Sequence, residues 1–245
     1  AVAALELLEV ALVLRRQGFD SYRAHADMFG TLSVCESVPQ VMQRMVDSAQ
    51  VQRLGVSILR ALAERGISVD LFGHAAARAL VTAMVACQDD KDVHMAFAVT
   101  VKELARGSSS DNNRRLLLEH EAHKWLFLIL KMKWPDVTPE ACAAVGYLAE
   151  DEASAAVLGS CGCCDAVATA MDQLPHSDDV LVEGSLALVR LCRVHENVVR
   201  LKAHGGERLL RRARRTLEQQ ELSPHHRGSL EFVVSKSNNR DCVVS

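Results

Sequence analysis

One apolar pattern recurs four times along this 245-residue chain, at a nearly fixed interval. The copies read VQRLGVSILRALA (Val51–Ala63), VHMAFAVTVKELA (Val93–Ala105), VTPEACAAVGYLA (Val137–Ala149) and VLVEGSLALVRLC (Val180–Cys192). The leading valines, Val51, Val93, Val137 and Val180, stand 42, 44 and 43 residues apart, as do the closing leucines Leu62, Leu104, Leu148 and Leu191. Leu59, Val101, Val145 and Leu188 form an apolar column between them, and Gly55, Ala141 and Gly184 a small-residue column broken by Phe97. Counted from the closing leucine, the columns fall at −11, −7, −3, 0 and +1, one stripe of a 3.6-residue helix. Unrelated amphipathic helices would each show this period but would not share a register. The spacing therefore marks an internal repeat of about 43 residues.

A second apolar helix is predicted after each copy, roughly over Val69–Ala86, Asn113–Lys131, Ser154–Gln173 and Asn197–Gln220. Gly73, Gly162 and Gly205 lie near the start of three of these, and Pro135 and Pro175 fall between units. Thr138-Pro139-Glu140 reads as an N-cap, a first helical proline and an acidic first turn. The expected organisation is one array over 1–235, with units near 1–49, 50–91, 92–135, 136–178 and 179–222 and a partial unit at 223–235, followed by a polar flexible tail at 236–245. The chain starts at Ala1 inside a helical pattern and without a methionine, which predicts a segment of a larger protein.

Composition agrees with helices. Only 4% of residues are aromatic while 49% are hydrophobic, an Ala/Leu/Val-rich balance that disfavours an all-β sandwich or barrel and predicts an all-α fold. The period, the long helix closing in Leu-Ala and the passage Asn197-Val-Val-Arg-Leu-Lys-Ala-His-Gly205 resemble an armadillo/HEAT-type helical array. That resemblance implies an armadillo-like α-solenoid, a right-handed α-α superhelix of stacked helical hairpins. It also implies a concave binding surface lined by the last helix of each unit, with no catalytic residues. Importin- and catenin-like arrays grip peptide backbone with a ladder of Asn on the concave helices, often beside Trp. Here no Asn recurs on those helices, and Trp125 is the candidate concave-surface aromatic.

The net charge of −3 hides a strong asymmetry. Asp136 to Val189 holds ten acids (Asp136, Glu140, Glu150, Asp151, Glu152, Asp165, Asp172, Asp178, Asp179 and Glu183) and no Lys or Arg. Arg190 to Arg215 then holds nine basic residues and two acids, Glu196 and Glu207. Arg208, Arg211, Arg212 and Arg215 share one helical stripe, which suits a partner segment carrying carboxylates or phosphates. No aromatics interleave with these arginines, which argues against a nucleic-acid partner.

The remaining motifs carry less chemistry. Cys161-Gly162-Cys163-Cys164 has no second Cys/His pair at zinc spacing and reads as core packing. His120 and His123 share a face without forming the metalloprotease motif and read as a solvated helix face. Asp178-Asp179 reads as an inter-repeat loop. No nucleotide-binding or nucleophile-elbow motif is present, so no enzyme, cofactor or metal is expected. The cysteine usage predicts a reducing, cytoplasmic compartment, and RRARR would serve nuclear import. Cys242-Val243-Val244-Ser245 matches a prenylation box, making Cys242 a candidate lipid site and the only reason to expect a membrane. The reading that follows is a non-catalytic scaffold presenting a protein-interaction surface. The alternatives are a regulatory array following a kinase or pseudokinase domain, and an adaptor tethered to membrane through Cys242.

Overall fold

The computed structural model describes residues 32–64, 73–106, 110–203 and 205. The expectations for the first thirty-one residues, the partial unit at 223–235 and the tail lie outside them. The chain divides into two compact units, Ala1–Trp125 and Leu126–Ser245. The first contains α1 (Leu32–Arg44), α2 (Ala49–Ala63), α3 (His74–Ala86), α4 (Lys91–Ala105) and α5 (Asp111–Glu119). The division falls within α6 (Ala122–Met132). The second contains α7 (Thr138–Leu148), α8 (Glu152–Ser160), α9 (Cys163–Gln173), α10 (Asp178–Leu191) and α11 (His195–Ala203). Every described element is a helix.

The repeated pattern becomes α2, α4, α7 and α10, and every residue of its columns is buried. Three of these helices begin on a side-chain cap. The Ser48 and Ser177 hydroxyls accept from the Val51 and Val180 amides at 3.4 Å, and the Asp90 carboxylate accepts from Asp92 and Val93. Asp90 also takes the Arg53 guanidinium, at 2.5 Å, tying α4 to α2. In α7 the N-cap is Val137, one residue before the expected Thr138, and Pro139 sits in the first turn. Asp178 and Asp179, expected in a loop, form the first turn of α10, where negative charge complements the helix dipole.

The small column has a packing cause. A Cβ on Gly55 would collide with the Met42 side chain of α1, and one on Gly184 would lie 2.7 Å from Met171 Cγ of α9. In each case the methionine of the preceding helix lies where the glycine lacks a side chain.

The expected second helix of each unit is a correction. Where the structure describes it fully, it is two helices: α5 then α6, and α8 then α9. The chain reverses left-handed between them, at Glu121 (φ 62°) and Gly162 (φ 90°). Gly205, after α11, has the same sign (φ 71°). A left-handed residue breaks the helical ladder and re-aims the chain, so each such unit is a three-helix module and not a hairpin.

The short helices α5 and α11 are anchored by buried asparagines. Asn197 Nδ2 donates to Leu191 O and Ala155 O, both at 2.9 Å, and Asn113 Nδ2 donates to Leu104 O at 3.4 Å. Leu104 and Leu191 are closing leucines, so each Asn satisfies a carbonyl at the open end of the preceding closing helix. Beside Asn113, buried Arg114 donates to Ala105 O at 2.9 Å and pairs with Asp111.

Candidate interaction surface

With the columns buried, what remains solvent-facing on each closing helix is a narrow ridge. In the first compact unit its polar groups are paired with one another, beside half-buried Leu54 on α2 and Met95 on α4. Arg60 Nε meets Glu64 Oε1 at 3.0 Å along α2, and on α4 Glu103 lies 3.3 Å from Lys102 and 3.8 Å from Arg106.

In the second unit the ridge is different. Val182, Leu186 and Val189 of α10 are half-buried and lie on one face, and Tyr147 of α7 is half-buried too. The two helices approach closely, because a Cβ on Gly146 would lie 3.2 Å from Ala187 Cα. Arg190 Cζ stands 4.7 Å above the Tyr147 ring, while Arg190 Nε reaches Glu150 Oε2 at 3.4 Å. Arg193 donates to the Glu150 carbonyl. The guanidinium is thus fixed by a ring and a carboxylate together, leaving a surface that is acidic at Asp178, Asp179 and Glu183, apolar along its middle and basic at its end. Sequence reading counted Arg190 only as charge and did not single out Tyr147 or Glu150. The signal available was position, since Ala61, Glu103, Tyr147 and Arg190 all stand immediately before a closing leucine.

The expected site residues fall differently. Arg208, Arg211, Arg212, Arg215 and Cys242 lie outside the described residues. Trp125 is half-buried on α6, which follows α5 and precedes the closing helix α7. The histidine reading is corrected. His123 is buried, and His120 Nε2 lies 3.1 Å from His74 Nδ1 of α3. Burial, then the His74 and Arg78 charges, holds the His120 imidazole below its ordinary value. Burial does the same to His123, followed by the Lys124 charge.

The second unit also contains a groove of about 630 Å³. Phe127, Leu130 and Ala166 supply its apolar lining, with Lys131, Lys133, Cys161 and Asp165 among its polar groups. Lys131 Nζ lies 5.1 Å from the Phe127 ring centroid. Cys163 and Cys164 are buried as core packing requires, whereas Cys161 is half-exposed at the groove. Among the described residues, no group of three or more His, Cys, Asp or Glu side chains is placed to hold a metal ion.

No family model matches the sequence, and no curated protein does. Solved structures match in fold. A designed armadillo repeat protein superposes with TM-score 0.72 at 18% identity, over 97% of this chain and 93% of that one. Another, in complex with a (KR)4 peptide, gives TM-score 0.69 at 17% identity over 96% and 92%. A computationally designed armadillo repeat protein for modular peptide recognition gives 0.71 at 17%, over 96% and 92%. The repeat register, the helix order and these likenesses together establish an all-α, armadillo-like repeat fold.

Proposed function

We propose that this chain is a non-catalytic repeat scaffold that binds a segment of a partner protein along its closing helices α7 and α10, with charge complementarity helping to select the partner. The observation that carries the reading is the ridge of α7 and α10. Val182, Leu186 and Val189 are half-buried apolar side chains on one face of α10, and Arg190 of the same helix is held over half-buried Tyr147 before any partner arrives. A prepared cation next to apolar anchors suits binding, because little side-chain entropy is lost when the partner docks. The structural neighbours support the class of ligand: one is a peptide complex and another was designed for peptide recognition. The sequence adds the basic residues Arg208, Arg211, Arg212 and Arg215 further along the chain, which suit an acidic or phosphorylated segment.

Cross-linking mass spectrometry in cells would name the partner, and titrations at rising salt would measure its charge dependence. Leu186→Glu should weaken binding at least about tenfold, or about 1.4 kcal/mol. Reversing the four arginines to Glu should weaken it further and flatten the salt dependence, with helicity unchanged. Binding unaltered by both changes would place the partner elsewhere.

A further inference from the structure

The three cysteines of Cys161-Gly162-Cys163-Cys164 are adjacent in sequence, but the fold sends them to different partners. Cys163 is fully buried at the start of α9, and its thiol hydrogen-bonds with that of Cys161. Cys164 is also buried, but its thiol partners Cys192, beyond the end of α10, and its Sγ lies 3.6 Å from Asn197 O. The two thiol pairs therefore differ in access. Cys164 and Cys192 are both buried, whereas Cys161 is half-exposed and lines the groove of about 630 Å³ that also holds Lys131 and Lys133.

We propose that Cys161 and Cys163 form an oxidant-sensitive dithiol, in which groove-facing Cys161 reacts first with a small peroxide and buried Cys163 closes the disulfide. Three features support this division of labour. Only Cys161 of the pair meets solvent, so a peroxide reaches it from the groove. The hydrogen bond to Cys161, followed by burial, pushes the Cys163 thiol up, so Cys163 is the member of the pair that holds its proton while Cys161 meets the oxidant. Gly162 between them is left-handed (φ 90°), which folds the chain back so that sulfurs two positions apart meet.

The chemistry balances with hydrogen peroxide as the oxidant. The Cys161 thiolate attacks one peroxide oxygen and the O–O bond breaks, leaving Cys161 sulfenic acid and hydroxide, which takes up the proton Cys161 released and becomes water. Cys163 sulfur then attacks Cys161 sulfur and the S–O bond breaks. The departing hydroxide takes the Cys163 proton and leaves as a second water. Two thiols lose two electrons and one peroxide gains them. The product is a disulfide across the Gly162 turn, at the lip of the groove.

The test is mass spectrometry of the full 245-residue chain after hydrogen peroxide, free thiols being alkylated and the chain cleaved at acidic residues, since no Lys or Arg lies between Asp136 and Val189. The expected product is a Cys161–Cys163 link with Cys164 alkylated, reversed by dithiothreitol and retained in Cys164→Ser. Cys163→Ser should instead accumulate a Cys161 sulfenic acid that dimedone captures, and Cys161 should oxidise at least about tenfold faster than Cys164 or Cys192. Circular dichroism checks each variant. If Cys163→Ser loses helix, Cys161→Ser at the half-exposed position still decides the matter: Cys163 should then resist peroxide as Cys164 does, and its oxidation at the wild-type rate would count against the proposal. A Cys161–Cys164 link, first oxidation at any other thiol, or equal dimedone capture in wild type and folded Cys163→Ser would overturn the proposal.

Discussion

Helices α4 and α10 occupy the same place in their repeats, yet they use that place differently. At the small-residue position α10 carries Gly184, over which Met171 lies, whereas α4 carries Phe97, which is fully buried. Along their exposed ridges both begin apolar, at Met95 and Val182, but α4 continues with Glu103 between Lys102 and Arg106, while α10 continues with Leu186 and Val189. The apolar columns at −11, −3, 0 and +1 are buried in both. Packing fixes those columns, because each faces a neighbouring helix at interior density. The ridge is not fixed by packing, and it is there that repeats of one fold diverge in chemistry.

The sharpest way to break this comparison is at the column where the two helices differ. Phe97→Ala should cost about 3–5 kcal/mol in urea unfolding, as removal of a fully buried ring does. Gly184→Ala should cost less, about 1–3 kcal/mol, because the clash is with Cγ and Sδ of a side chain that can rotate, Met171, and not with backbone. Equal losses at the two sites would mean that Met171 cannot move aside for a Cβ at Gly184. Asn197→Ala comes next, at about 1–3 kcal/mol, since it strips a buried donor from both Leu191 O and Ala155 O. Asn113→Ala, whose bond to Leu104 O is longer at 3.4 Å, should cost less, and the order of the two melting temperatures checks this.

The fold was legible in the sequence to the extent that packing constrains residue type. The valine and leucine columns could be read at once because a buried helical stripe admits few alternatives. The break between α5 and α6 could not be read, because the residue that turns left-handed there is Glu121, whose type carries no turn signal; its counterpart Gly162 announced itself. The asparagine anchors were hidden for a similar reason. Asn197 was visible as a motif residue, but its bond to Ala155 O spans 42 residues and depends on how modules stack. The surface was least legible. Tyr147, Glu150 and Arg190 come together only because α7 and α10 pack closely at Gly146, and the sequence gives no hint that Cys163 and Cys164 face opposite partners.

The two left-handed joints allow the finest comparison. Gly162→Ala places a Cβ in a conformation that disfavours it, 3.2 Å from the Phe127 ring, and should cost about 1–2 kcal/mol. Glu121→Gly runs the same argument in reverse. The native joint already bears the strain of a side chain at φ 62°, so glycine relieves it. Two effects oppose the relief: glycine gives the unfolded chain more freedom, and the exposed ion pair between Glu121 and Lys124, at 2.5 Å, is lost. Both are smaller than the strain, so the urea midpoint should rise, by less than Gly162→Ala lowers it. If both substitutions destabilise, the two joints do not obey one rule, and Glu121 contributes through its side chain more than its backbone costs.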